Sequence, residues 1–293
     1  MNLVICIPAF NEERIIGDIV KRAMKYSSEV IVCDDGSSDN TAEEAKKYGA
    51  YVIKHETNQG KGAALKTLFV NALEKNPEII VTLDGDGQFL PEEIPNIIKP
   101  ISEQNADLVI GYRFDNSNKI PNYRKFGNKV LDKMTSAASG LHFRDTQSGF
   151  RAYSQKTLKL INFSTNGFGA DSEILINLSK KGLKIVEEKI TVIYDTGGKT
   201  STKNPISHSA DVVASIIELI VIQKPLLFVG LPGLVLTIIG IILTITVIST
   251  FNDSRYFSIP STLVSMGTLL MGMMLMLVSV VLFSINKATL HLK

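Results

Sequence analysis

Ile79-Ile80-Val81-Thr82-Leu83-Asp84-Gly85-Asp86-Gly87-Gln88 is a strand-like apolar run that ends in two carboxylates one residue apart, then an amide. Such a run fits a buried strand of a parallel sheet. It delivers Asp84, Asp86 and Gln88 to the carboxyl end, where open α/β sheets bind ligands. Hard oxygen donors at this spacing suit Mg2+ or Mn2+, with a substrate diphosphate completing the shell. Asp-x-Asp is also an ordinary polar turn, so its company decides the reading.

That company is alternating strand and helix. Leu3 to Ile7 is a continuous apolar run, fit for a central parallel strand. Asn11 is expected to open a helix, with Glu12 and Glu13 in the first turn where acids complement the dipole. Val30 to Cys33 reads as a second strand, and Asp39-Asn40-Thr41 as the cap of a helix reaching about Lys47. Tyr51 to Lys54 makes a third strand, Gly60 to Leu73 a helix, and Ile79 to Leu83 the fourth strand. Pro91-Glu92-Glu93 starts another helix, with Pro in its first turn. Leu108-Val109-Ile110 is again a strand, and a last one is expected at about Ile190 to Tyr194. The alternation predicts a doubly wound α/β domain, assigned to residues 1–205.

The 293 residues leave room for one large domain or two smaller units. A net charge of +2 argues against a nucleic-acid partner, which asks for a basic face. Cys6 and Cys33 both sit in strand-like runs, so buried free thiols are expected and no disulfide framework. No basic region precedes an apolar core at the N-terminus, so no signal peptide is expected.

After residue 224 the character changes. Leu226 to Ile248 and Phe257 to Ile285 carry no charge, and each exceeds the roughly 20 residues that cross a hydrocarbon core. Neither has the polar face of a helix buried in a soluble core. Residues 225–293 are therefore expected to form a transmembrane hairpin, with spans at about 226–248 and 259–285. Gly230, Gly233, Gly240, Gly267 and Gly272 would let its helices approach closely. Lys199, Lys203 and Lys224 precede the first span and Lys287 and Lys293 follow the second, whereas the link holds Arg255 opposed by Asp253. Both termini and the catalytic domain are expected in the cytoplasm, in a cell-membrane protein with two spans. Residues 206–224 read as a juxtamembrane amphipathic helix in the membrane interface, or equally as a helix packed on the soluble domain.

The strand ends gather polar groups at one sheet edge. Pro8-Ala9-Phe10-Asn11-Glu12 closes the first strand, Asp34-Asp35-Gly36-Ser37-Ser38-Asp39 the second, Asp84-Gly85-Asp86 the fourth, and Gly111-Tyr112-Arg113 the next. Asn58-Gln59-Gly60-Lys61-Gly62 precedes a helix but lacks the full phosphate-loop spacing. An acidic rim beside Gly-rich backbone suits a nucleotide: carboxylates take base or ribose donors, and a metal neutralises the diphosphate.

Those motifs, together with Asp145-Thr146-Gln147-Ser148-Gly149-Phe150-Arg151 and Phe168-Gly169-Ala170-Asp171-Ser172-Glu173, resemble the inverting glycosyltransferases of family 2. They are most similar to the dolichyl-phosphate mannose synthase and polyprenyl-phosphate glucose synthase branch. The resemblance implies a GT-A type nucleotide-sugar-binding domain followed by the hairpin. It implies that Pro8, Phe10, Glu12, Lys61 and Gly85 line the nucleotide pocket, with Asp34 or Asp35 reading base or ribose. Phe10 stands where a Tyr is common. Asp84 would face the ribose and sugar diphosphate, and Asp86 and Gln88, beside Asp84, would hold the metal. Arg113 would meet the diphosphate or the acceptor phosphate, with Arg124 a second candidate; surface solvation is the other reading of both.

The implied reaction moves a hexose from a nucleoside diphosphate sugar, of GDP-mannose or UDP-glucose type, to a polyprenyl (dolichyl) phosphate at the cytoplasmic face, with inversion. A lipid phosphate is already anionic, so cationic positioning matters more than a strong base. Asp145 and Asp171 are candidates for orienting or deprotonating an acceptor, or else caps and ion-pair partners. Lys199 and Lys203, just before the membrane segment, suit a phosphate at its surface, and His208 reads as interfacial or as a neutral surface residue. Two alternatives remain: transfer to a lipid-linked saccharide or glycerolipid hydroxyl, which needs a base, and a membrane subunit that only binds a sugar nucleotide. A homo-oligomer is left open.

Overall fold

The computed structural model describes residues 1–113, 132, 135–136, 139–164, 167, 169–193 and 225–291. The chain divides into two compact units, Met1–Ile216 and Ile217–Lys293. In the first, one sheet holds β1 (Leu3–Ala9), β2 (Glu29–Asp34), β3 (Tyr51–Lys54), β4 (Ile79–Thr82), β5 (Leu108–Tyr112), β6 (Arg151–Ser154) and β7 (Ile185–Lys189). Its helices are α1 (Ile16–Ala23), α2 (Thr41–Lys47), α3 (Lys61–Glu74), α4 (Ile94–Ser102), the single turn α5 (Gln155–Leu158) and α6 (Ala170–Ser179).

All seven residues of β1 are buried, as a central parallel strand requires. Alternate side chains leave on opposite faces. Leu3, Ile5 and Ile7 share a core with Ile16 and Ile19 of α1 and Ile94 and Ile97 of α4. Val4 and Cys6 join the other core, with Leu65 and Leu68 of α3 and Ile174 and Leu178 of α6. Helices thus cover both faces, and Cys6 and Cys33 are buried free thiols.

The strand order is β3-β2-β1-β4-β6-β5-β7. β1 to β4 run parallel. β6 is antiparallel to β4 and to β5, so β5 points the same way as β4. The carboxyl ends of β1, β2, β4 and β5 therefore share one edge, and the loop entering β6 arrives at that edge too.

Three elements differ from expectation. The sheet is mixed, because β6 was not foreseen: it is four residues long and begins with a buried arginine, which breaks any apolar run. α1 starts at Ile16, not Asn11. Asn11 adopts a left-handed φ of 57°, which Asn tolerates better than most residues, and its Oδ1 accepts from Ser38 N at 2.9 Å. The last strand is Ile185–Lys189, five residues earlier than expected. Its Glu187 and Glu188 hide it from a search for apolar runs, and Tyr194 lies outside the described residues.

The second unit is described from Pro225. A turn of wider, π-type winding (Leu226–Gly230) runs into α7 (Leu231–Ser254), and α8 covers Ile259–His291. Leu226–Ser254 and Ile259–Ile285 are long and apolar enough to cross a membrane, and only 11% of each apolar window is buried. A core helix of a soluble protein would be mostly covered. The two helices touch through glycine. A Cβ on Gly240 would lie 2.6 Å from Leu269 Cα, and one on Gly233 would lie 3.0 Å from Gly272 O. A Cβ on Gly267 would meet nothing within 4 Å, so Gly267 does not serve the packing as expected. Thr237 and Thr244 return their hydroxyls to the carbonyls of Gly233 and Gly240, each at 2.8 Å, which satisfies these two hydroxyls within an apolar helix.

Candidate active site

The loop after β1 is laced onto the loop after β2. Asn11 N donates to Ser37 Oγ at 2.8 Å, Glu12 N to Thr41 Oγ1 at 2.8 Å, and Glu13 N to Asp39 Oδ2 at 3.2 Å. The loop after β4 joins them, with Gly85 N donating to Pro8 O at 3.2 Å. These bonds fix Pro8, the half-buried Phe10 and Glu12 beside Asp84 and Asp86.

Glu12, Asp84 and Asp86 form an electronegative cluster. The Glu12 carboxyl is pushed up to about 8, by burial first and then by Asp86, Asp39 and Asp84. Asp86 is pushed up to about 6 by burial and by Asp84, against the opposing pull of Gln88 N–H, Lys61 and Arg113. Gln88 N donates to Asp86 Oδ1 at 3.0 Å. Among the described residues, no three acid, imidazole or thiol side chains converge as a closed cage. The cluster fits half of a metal site, whose other donors would come from phosphate and water.

Lys61, at the first position of α3, points into this cluster. Its Nζ lies 2.8 Å from Asp84 Oδ1, 3.0 Å from Asp84 Oδ2 and 2.9 Å from Asp171 Oδ2. Burial disfavours the ammonium, but Asp171 and then Asp84 outweigh it and hold the lysine charged. Asp171 opens α6 and also lies 3.7 Å from the Arg151 guanidinium. Arg151 is wholly buried and donates to the carbonyls of Ser148, Thr146 and Asp171. It ties the 145–149 loop to the start of α6. A Cβ at Gly149 would run into the Asp84 carboxylate, so that loop can pass only with glycine there.

Arg113 grips Asp145 with both arms, Nε to Oδ2 at 2.6 Å and Nη2 to Oδ1 at 2.7 Å. Asp145 is fully buried. Asp35 is likewise engaged: Oδ1 meets His55 Nδ1 at 2.7 Å and accepts from Gln59 N at 3.0 Å, and Oδ2 accepts from Gly60 N at 2.7 Å. Asp34 Oδ1 accepts from Ser37 N at 2.9 Å, and its Oδ2 lies 3.5 Å from Lys54 Nζ. Both oxygens of Asp35 thus secure the 55–60 loop, whereas the buried Asp34 Oδ2 has no hydrogen-bond partner among the described residues.

The edge therefore brings together Pro8, Phe10, Glu12, Asp34, Asp35, Lys61, Asp84, Gly85, Asp86, Gln88, Arg113, Asp145 and Asp171. Arg124, Lys199, Lys203 and His208 lie outside the described residues. Sequence reading missed the supports, His55 and the buried Arg151. No spacing rule links His55 to Asp35 20 residues earlier, and an arginine in a short strand carries no signal of burial.

Comparison with known proteins shows the family and the fold. The sequence model of Glycosyl transferase family 2 matches residues 4–161. A UDP-N-acetylglucosamine–dolichyl-phosphate N-acetylglucosaminyltransferase of Methanococcus voltae is 34% identical, over 66% of this chain and 86% of its own length. A dolichyl-phosphate hexose transferase of Haloferax volcanii is 30% identical, over 74% and 93%. Among solved structures, glucosyl-3-phosphoglycerate synthase of Mycobacterium tuberculosis, in complex with Mn2+, uridine diphosphate and phosphoglyceric acid, superposes with a TM-score of 0.58. The match covers 74% of this chain and 78% of that one at 20% identity, and shows a shared fold.

Proposed function

Because this chain belongs to glycosyl transferase family 2 and is a glycosyltransferase, we propose that it transfers a hexose from a nucleoside diphosphate sugar to a polyprenyl phosphate at the cytoplasmic membrane face. The observation that carries the reading is the cluster of Glu12, Asp84 and Asp86 at one sheet edge, with Lys61 and Arg113 beside it. An acidic site that must receive an anionic diphosphate calls for a divalent cation, Mg2+ or Mn2+, and Asp86 with Asp84 and Gln88 would hold it. When bound, the cation stabilises charge on the departing diphosphate.

In this reading Pro8, Phe10 and Glu12 line the donor side, and Arg113, oriented by Asp145, supplies positive charge for a phosphate. A phosphate oxygen of the acceptor attacks the anomeric carbon from the face opposite the leaving group. The new C–O bond forms as the bond to the diphosphate breaks, the electron pair leaves with the diphosphate, and the configuration inverts. A phosphate acceptor is favoured over a hydroxyl because the two carboxylates marked as bases are each bound to a cation: Asp145 to Arg113, and Asp171 to Lys61. The two apolar helices support a lipid acceptor, as do the relatives named for dolichyl phosphate. In this reading Arg124, Lys199 and Lys203 are further acceptor-phosphate cations, and residues 206–224 link the catalytic domain to a two-span hairpin.

The test is to incubate membranes containing the chain with labelled nucleotide sugars and a polyprenyl phosphate, and to identify the glycolipid. Asp86→Asn should cut turnover by about 100-fold or more, because the metal's charge stabilisation is worth several kcal/mol. No glycolipid from any donor, or full activity in Asp86→Asn or in excess chelator, would overturn the reading.

A further inference from the structure

Lys61 is closely held in the site, and its three short contacts go to carboxylates. Its ammonium bridges Asp84, at the end of β4, to Asp171, at the start of α6. The side chain is 12% exposed, so solvent screens these contacts weakly. One consequence follows for Asp84. Both of its oxygens lie within 3.0 Å of Nζ, and the sites a cation would need are turned toward the lysine. Asp86, two residues on, feels Asp84 as a like charge and Lys61 as an opposing one. The lysine ammonium therefore neutralises the same carboxylate that a metal ion would neutralise.

We infer that Lys61 is a built-in competitor for the metal, which makes cation binding conditional on the nucleotide. This rests on the metal-dependent reading above. Without the donor, a dication approaching Asp86 meets an ammonium already seated on Asp84, and the two cations repel. An arriving diphosphate supplies negative charge that both the dication and the ammonium can share. Lys61 then leaves Asp84 for phosphate oxygen, and Asp84 is freed to face the ion. The consequence is an order of events: the metal is retained together with the nucleotide and not ahead of it. Asp171 and Arg151 set the resting position, because they form the far side of the seat from which the lysine moves.

The test is the affinity of the full-length protein for Mn2+, read from the spectrum of free Mn2+ by electron paramagnetic resonance, without nucleotide and with uridine or guanosine diphosphate. The wild type should bind Mn2+ weakly alone and at least roughly tenfold more tightly with one of the diphosphates, given the strength of a unit charge a few ångströms away. Lys61→Met should bind Mn2+ alone at least roughly tenfold more tightly than wild type, because the competing charge is gone. Lys61→Gln donates to both carboxylates without a charge and should do the same if the Met variant fails to fold. Lys61→Arg keeps the charge and should behave as wild type. A purely structural lysine would give no gain in nucleotide-free affinity on its removal, and that result in a folded Met or Gln variant overturns the inference while leaving the metal-dependent reading intact. Wild type that binds no Mn2+ even with diphosphate overturns both.

Discussion

Asp132 shows how one buried side chain writes a pH dependence into the fold. Its Oδ1 accepts from Thr146 N at 2.8 Å and from Thr146 Oγ1 at 2.7 Å, anchoring the residue that follows Asp145. Burial pushes its carboxyl up from 3.8 to about 7, with Thr146 pulling the other way. Between about pH 4 and 7 the folded chain therefore holds a proton that the unfolded chain has released, so stability falls as pH rises through that window and is flat above it. The fall should be on the order of 2–4 kcal/mol. Asp132→Asn keeps an Oδ1 acceptor for both bonds and loses the titration. Melting curves of the full chain at pH 5 and pH 8 should differ for wild type and differ less for the variant, in which Glu12 and Asp86 still titrate in this range; an unchanged difference in Asp132→Asn would reject this account. At the residue level the acidic rim was legible, because strand ends name the groups they deliver. Which of those groups are already bound was not: Asp35 reads in sequence as a ligand for base or ribose and is tied to His55 in the fold, and for Asp145, read as an acceptor-orienting acid or an ion-pair partner, the fold shows the ion pair with Arg113.

Elements were legible where they were apolar. β1, β3 and β4 follow the apolar runs, whereas β6 and β7 are built from Arg, Ser and Glu and gave no such signal. Their placement comes from pairing with strands far away in the chain, which local periodicity does not contain. The hairpin sharpens the point. Five glycines suggested close packing, yet only some face the other helix. A side chain on Gly240 collides with Leu269, while one on Gly267 finds open space. Gly240→Leu should therefore lower the melting temperature of the detergent-solubilised protein by several degrees, on the scale of about 1–3 kcal/mol for overpacking. Gly267→Leu should be close to neutral. Equal effects from the two would contradict this packing.

For the whole molecule, the proposed orientation is open to direct measurement. Cys6 and Cys33 are buried, so a cysteine introduced at the exposed Asn252 or at Lys293 carries the label alone. From outside intact cells, a reagent that does not cross membranes should modify the first and spare the second; the reverse pattern means the hairpin is inverted. The strand order also has a consequence in time. β4 pairs with β6, so that Thr82 waits for Arg151, roughly 70 residues later. At the usual 5–20 residues per second of synthesis, the wait is about 4–14 s. β1 to β4 can assemble as they leave the ribosome, but the outer margin of β4 stays unpaired, a template for another nascent chain. The two apolar helices are made later still, after Arg151 is available to close that margin. A ribosome stalled before Arg151 would thus carry a chain whose β4 has one margin still open to a neighbour.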